Sequence, residues 1–228
     1  MSKETIVIID YGSGNIASAQ KAFEHVIANE ALDIEILVSG RAEDVRAADR
    51  LVLPGQGAFG DCMSNLQNTD GMIEALEETV LKDGRPFLGI CVGMQLLASR
   101  GLEHGMHAGL NWISGQVVPM REQINDETLK IPHMGWNQLI IPSLGDQDNR
   151  HFVLRSTESL VENPDHYYFV HSFMFECEYN HHVLALAEYG QLFAAVVGCD
   201  NIVGVQFHPE KSQDTGLRLL SDFMQWKP

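Results

Sequence analysis

A cysteine set between two glycines, and a histidine two residues ahead of a glutamate, are the groups in this chain best placed by type and spacing for covalent chemistry. The first lies in Phe87-Leu88-Gly89-Ile90-Cys91-Val92-Gly93-Met94-Gln95-Leu96-Leu97. An apolar run of strand length ends at Ile90 and an apolar helical run begins just past Gly93, which puts Cys91 on a strand-to-helix corner. Glycines at minus two and plus two give the G-x-nucleophile-x-G layout of an elbow, with cysteine in the serine position. So sharp a corner needs neighbours without a Cβ. The corner lifts the thiol off the sheet edge and sets it at a helix N-terminus, where unpaired N–H groups and the dipole favour a thiolate. An ordinary thiol is only a few per cent ionised at neutral pH. A small buried residue that merely packs is the competing reading of this segment alone.

The second set is His208-Pro209-Glu210-Lys211-Ser212, delivered by the strand-like run Ile202-Val203-Gly204-Val205-Gln206-Phe207. Residues two apart in an extended chain point the same way, and Pro209 holds the backbone between them. His208 and Glu210 are therefore expected to face the edge on which Cys91 sits. An imidazole beside a thiol takes its proton and later passes it to a leaving amine, while a carboxylate fixes the tautomer. Taken alone, the same segment also reads as a surface turn. A glycine-rich loop, Pro54-Gly55-Gln56-Gly57-Ala58-Phe59-Gly60, follows the apolar run Leu51-Val52-Leu53. It falls at the C-terminal end of a strand, where open parallel sheets bind ligands, and its N–H groups are candidate oxyanion donors. An ordinary turn is the alternative.

These groups need a scaffold that presents strand ends side by side. Thr5 to Asp10 is an apolar run of strand length, and Ile16 to Ile27 has helical spacing at Ala19, Ala22, Phe23 and Val26. Ile34 to Val38 and Asp49 to Leu53 read as further strands, and Gly71 to Lys82 as an amphipathic helix before the strand that leads to Cys91. Four β-then-α units predict an open, mainly parallel sheet flanked by helices. The join Asp10 to Ala17 formally fits G-x-G-x-x-A. The second strand ends in Ser39-Gly40, with no acid for ribose hydroxyls, so a tight turn or a partner-facing loop is expected there instead.

After residue 101, Gly, Pro and short β-like runs replace the helices. Gln116 to Met120, Gln138 to Ile141, Tyr167 to Val170, Val183 to Tyr189, Phe193 to Val197 and Ile202 to Phe207 read as strands that add antiparallel or mixed pairs to the sheet. A helix from Asp214 to Trp226 closes the chain, apolar at Leu217, Leu220, Phe223 and Met224, with Asp214 or Thr215 as N-cap. His171 in the aromatic run Tyr167 to Phe173 reads as core packing, and His104, His107, His181 and His182 as exposed. No metal site and no cofactor is expected.

The composition sets bounds on function. At 228 residues and 45% hydrophobic content the chain is expected to be one domain, residues 1–228. A net charge of −16 argues against nucleic acid or an anionic membrane as partner. Met1 to Glu4 runs directly into the first strand, and no apolar run approaches the ~20 residues of a membrane span, so a cytoplasmic location is expected. Cysteines at 62, 91, 177 and 199 form no C-x-x-C pair, and Cys62, Cys177 and Cys199 read as structural thiols.

The elbow Gly89 to Gln95 and the segment Phe207 to Ser212 together resemble the class I (triad-type) glutamine amidotransferases. The likeness spans nearly the whole length. Asp10-Tyr11-Gly12-Ser13-Gly14-Asn15, the Pro54 to Phe59 loop, Ile131-Pro132-His133-Met134-Gly135-Trp136-Asn137 and Tyr168-Phe169-Val170-His171-Ser172-Phe173 are similar to the glutaminase subunits of the histidine-biosynthesis branch. The resemblance implies a flavodoxin-like fold, L-glutamine as substrate, and a heterodimer with a (β/α)8-barrel cyclase subunit that receives the ammonia. It implies Cys91, His208 and Glu210 as the triad, with oxyanion donors at Val92 and in the loop at Gln56 and Gly57. Gln95, Ser172 and Phe173 would bind glutamine. Gln56 stands where the family's loop commonly has valine, and the loop is expected to rest inactive until the cyclase docks. A related pair that aminates a surface-polysaccharide sugar, a non-catalytic docking subunit of the same fold, and a stand-alone cysteine hydrolase are the alternatives.

Overall fold

The computed structural model describes residues 3–142, 150–158 and 164–228. Strand β1 (Glu4–Ile9) leads to helix α1 (Ile16–Glu30), β2 (Ile34–Ser39) to α2 (Ala42–Ala47), and β3 (Arg50–Gly55) to α3 (Phe59–Asn68) and α4 (Met72–Leu76). Strand β4 (Phe87–Cys91) runs straight into the four-residue α5 (Val92–Gln95). The apolar spacing expected in the first helix is borne out, because Ala19, Ala22, Phe23 and Val26 are its buried residues. The stretch expected as one helix from Gly71 to Lys82 is α4 followed by a π-helical turn, Glu77–Lys82.

Short strands β5 (Arg100–Gly101) and β6 (His107–Ala108) follow, then β7 (Gly115–Pro119), α6 (Met120–Gln123), β8 (His133–Gln138), β9 (His166–His171), β10 (Phe173–Cys177), β11 (Val183–Glu188), β12 (Leu192–Cys199), β13 (Ile202–Val205) and α7 (Gln213–Gln225). Among the described residues, seven strands make the central sheet in the order β11-β12-β13-β4-β3-β1-β2. β13, β4, β3, β1 and β2 are parallel to one another, whereas β11 and β12 are antiparallel additions. The parallel part has the 2-1-3-4 order of flavodoxin-like sheets. β3, β4 and β13 are buried at every residue, as strands covered on both faces must be.

The later strands only partly join this sheet. β7 and β10 belong to a four-stranded sheet with β5 and β6, and among the described residues β8 pairs with β9 alone. Burial explains the division: β12 is continuously buried from Phe193 to Gly198, while β9 alternates along its length and has only one apolar face to cover. The strand expected at Gln138 to Ile141 lies earlier, at His133–Gln138, and Ile140 makes only an isolated bridge to Leu186. The closing helix begins at Gln213 with Ser212 in the cap position, not Asp214 or Thr215, and buries Leu219 where Leu217 was expected.

The topology sets three parallel strand ends in a row. Register pairs Gly55 with Cys91 across β3 and β4, and Val205 with Ile90 across β13 and β4. The glycine loop, the cysteine and the histidine segment thus emerge side by side. The backbones of the cysteine corner and of β3 touch: a Cβ on Gly89 would sit 2.6 Å from the Gly93 carbonyl oxygen, and one on Gly93 would collide with the Leu53 carbonyl oxygen. Gly93→Ala is therefore expected to cost about 3 kcal/mol or more, the upper range for overpacking. Denaturant unfolding of the variant measures it.

Candidate active site

Cys91 is the last residue of β4 and the cap residue of α5, and it holds φ +56°, ψ −111°. Few residues with a side chain adopt such a backbone, and holding one there costs on the order of 1–3 kcal/mol. The strain is imposed by the packing of Gly89, Gly93 and Gly55, since a Cβ on Gly55 would lie 2.5 Å from the Gly93 nitrogen. The backbone has the elbow form that the glycine spacing predicts. Cys91 is 5% exposed and opens on a cavity of about 290 Å³.

The histidine segment reaches the cysteine by a different local route from the one expected. β13 ends at Val205, and Pro209–Lys211 coils into a 3-10 turn, so alternation along a strand does not align His208 with Glu210. Proline at the first position of a helical turn costs no hydrogen bond, and the turn brings Glu210 Oε1 to 2.8 Å from His208 Nδ1. The turn itself is pinned. His208 N–H donates to the Tyr168 carbonyl at 2.9 Å, and Ser212 Oγ donates to the His208 carbonyl at 2.6 Å while accepting from Tyr168 N–H at 3.0 Å.

The side chains of His208 and Glu210 are almost wholly buried. Burial works against charge on the imidazole, but hydrogen bonds and charge from Cys91 and Glu210 outweigh it and raise the His208 pKa from 6.5 to about 9. With Nδ1–H committed to Glu210, Nε2 is the nitrogen left for the thiol. The arrangement can pass a proton between sulfur and a leaving group while the carboxylate stabilises the imidazolium.

Gln56, Gly57, Val92, Gln95, Ser172 and Phe173 all line the cavity with Cys91 and His208, and Glu210 stands behind His208. Glu103, Lys211 and His171 line it too, and none of them was expected there. Lys211 adjoins the histidine segment and was legible as a neighbour. Glu103 reaches the site only through the chain's path after α5, where its Oε2 accepts from Phe59 N–H at 2.7 Å. The buried His171 was read as packing, yet it is hydrogen-bonded: Nδ1 to the Phe173 carbonyl at 2.8 Å and Nε2 to His133 Nδ1 at 2.9 Å. Burial lowers the pKa of His171 to about 3 and of His133 to about 4, so both are neutral near pH 7.

The glycine loop is anchored from behind. Cys62 Sγ donates to the Gln56 carbonyl at 3.4 Å, and burial raises the Cys62 pKa, which keeps it a thiol. The turn Asp10 to Ala17 packs against the same loop: Gly14, at φ +103°, has room for no Cβ because one would lie 2.9 Å from the Pro54 carbonyl oxygen.

Residues 7–226 match the family model described as glutamine amidotransferase class-I. The chain is 50% identical over 222 residues to the imidazole glycerol phosphate synthase subunit HisH of Cereibacter sphaeroides, covering 97% of this chain and 99% of the relative. It is 51% identical over 226 residues to the protein of the same name from Rhodopseudomonas palustris, covering 98% and 100%. A solved glutamine amidotransferase from Thermotoga maritima superposes with a TM-score of 0.57 at 17% identity, covering 98% of this chain and 84% of that one. Another solved glutamine amidotransferase gives 0.64 at 15% identity, covering 96% and 98%. At such identities the solved structures speak to the fold.

The His208 pKa carries a pH signature. A folded-state pKa raised from 6.5 to about 9 contributes stability that is fully present below pH ~6.5 and is lost as pH rises through ~9. Unfolding free energy is expected to decline across that window, and Glu210→Gln, which removes one of the two charges holding the proton, is expected to flatten the decline. Denaturant titrations at a series of pH values, with imidazole NMR for His208 itself, check both.

Proposed function

The chain belongs to the class-I glutamine amidotransferase family, and on that premise we propose that it frees ammonia from glutamine by acyl transfer at Cys91, with His208 and Glu210 as its acid–base pair. Its role is that of the glutaminase subunit of imidazole glycerol phosphate synthase, in histidine biosynthesis, as in relatives about half identical over nearly the full length. These relatives favour that role over the sugar-aminating alternative. What carries the triad is one observation: a buried His208 whose Nδ1 lies 2.8 Å from Glu210 Oε1 and which lines one cavity with Cys91.

Cys91 Sγ attacks the side-chain amide carbon of glutamine, and the carbonyl oxygen becomes an oxyanion. Val92 N–H, at the start of α5, and an N–H of the Gln56–Gly57 loop are the donors, each of a kind worth roughly 10²–10³ in rate. His208 gives its proton from Nε2 to the departing nitrogen, and ammonia leaves with a γ-glutamyl thioester on Cys91. The same nitrogen then takes a proton from water, whose hydroxide displaces the sulfur and yields glutamate. Glu103 and Lys211 supply one charge of each sign at the cavity wall, which suits the zwitterionic end of glutamine. Both N–H donors of Gln95 are committed to Phe173 and Gln206, so its Oε1 is the atom left for the substrate ammonium. Backbone at Ser172 and Phe173 completes that end.

The partner is the cyclase subunit of the synthase, a (β/α)8 barrel in this proposal. Met134 and Trp136, two apart on β8, expose large apolar side chains, as a protein-binding face does. β8 pairs with β9, whose end lines the cavity, which sets that face beside the site. The Gln56 carbonyl turned toward Cys62 supports a loop that rests until docking re-aims its peptide. In the complex with its cyclase, Cys91→Ala is expected to abolish glutamine-dependent synthesis and leave ammonia-dependent synthesis intact, read by product formation with either nitrogen source. Loss of both in a folded complex would contradict the division of labour.

A further inference from the structure

Gln206 lies between the two halves of the triad, just past β13 and two residues before His208, and no solvent reaches it. A buried amide must place its donors and its acceptor against partners. The backbone N–H donates to the Ala195 carbonyl at 2.9 Å. In the side chain, Oε1 lies 3.0 Å from Gln95 Nε2, and Nε2 lies 3.9 Å from Cys91 Sγ.

Which end of that amide faces the sulfur follows from its neighbours. The Phe173 carbonyl is the fixed point, because a backbone oxygen can only accept. It takes the His171 Nδ1 proton at 2.8 Å and lies 3.3 Å from the Gln95 amide. Gln95 must therefore present its NH2 group there. The same NH2 group reaches Gln206, which has to answer with oxygen. Reversing Gln206 would set two NH2 groups against each other and turn a carbonyl oxygen toward the sulfur. A carbonyl, an amide and a second amide thus aim an N–H at Sγ.

We propose that Gln206 is a positioning residue for the glutaminase reaction, its amide N–H holding the Cys91 sulfur in line whenever that sulfur carries negative charge. The inference rests on Cys91 being the nucleophile. The resting contact of 3.9 Å is long, and such contacts shorten when the acceptor becomes an ion. Gln206 transfers no proton. The proton that Sγ has given up is on His208 Nε2 before attack, the sulfur electron pair forms the bond to the amide carbon as the carbonyl π pair moves onto oxygen, and both hydrogens of the Gln206 amide stay in place. The charge is on sulfur before attack and again as the thioester is hydrolysed, so both halves of the cycle depend on this donor.

The test uses Gln206→Met, which keeps the length and volume of the side chain and removes the donor. In the complex with its cyclase, kcat for glutamine hydrolysis is expected to fall about tenfold, as for one lost hydrogen bond to an ionised acceptor, with KM changed less than about twofold. Alkylation of Cys91 by chloroacetamide, a small neutral reagent that needs no substrate site, is expected to slow by a similar factor at neutral pH. Its pH–rate curve should move to higher pH and meet that of the unaltered protein in strong alkali. Gln206→Glu keeps an acceptor for Gln95 but sets a carboxylate by the sulfur, and is expected to be slower than Gln206→Met. If Gln206→Met does not fold, Gln95→Met, which releases the Gln206 amide from its orientation, is expected to displace the alkylation curve in the same direction. Superimposable curves for a folded variant would overturn the proposal and leave Gln206 as packing. Failure of Cys91 in the unaltered chain to alkylate ahead of Cys62, Cys177 and Cys199 would overturn the nucleophile reading itself, and this inference with it.

Discussion

The site depends on a close approach of backbone to backbone. Gly89 and Gly93 flank Cys91 with nothing beyond their Cα atoms, and Gly55 and Leu53 on the neighbouring strand press against Gly93 where side chains would stand. The contact forces Cys91 into φ +56° and ψ −111°, a conformation that a lone elbow would relax out of. It also ties the position of the thiol to the strand that carries the glycine loop. The candidate nucleophile and the candidate oxyanion donors are thereby set by one rigid corner.

Topology then supplies the rest. Since β4 lies between β3 and β13 in parallel, three consecutive strand ends open on one cavity, where Gln56, Cys91 and His208 meet although each is 35 or more residues from the next in sequence. The ladder sets only coarse alignment. His208 is refined by Ser212, Tyr168 and Glu210, and the sulfur by an amide chain anchored on a carbonyl. Charge is concentrated where it is useful: His208 is held protonated by its neighbours, whereas His171 and His133, equally shielded, are held neutral by burial.

Elements whose pattern reflects local geometry were legible in the sequence. The buried stripe of α1, the parallel strands and the Cys91 corner follow from period and glycine placement. Strand membership after residue 101 was not, because the β propensity of Gln116 to Met120 or Tyr167 to Val170 does not say which sheet takes the strand. The spacing at Pro209 predicts an extended dipeptide where the chain makes a 3-10 turn, and both bring residues two apart together. Glu103 and the hydrogen-bonded pair His133 and His171 were missed or undervalued as site neighbours. Their places are set by contacts across dozens of residues, and a buried histidine has the same sequence pattern whether it packs or bonds.

The central claim is that glutamine passes through a thioester on Cys91. Rapid acid quench of the complex turning over glutamine, followed by digestion and mass analysis, tests it most directly. The expected result is a γ-glutamyl adduct on the peptide containing Cys91, which hydroxylamine removes and which builds up when ester hydrolysis is slowed by Glu210→Gln. Steady ammonia release with no adduct on that peptide, or an adduct on Cys62, Cys177 or Cys199 instead, would contradict it.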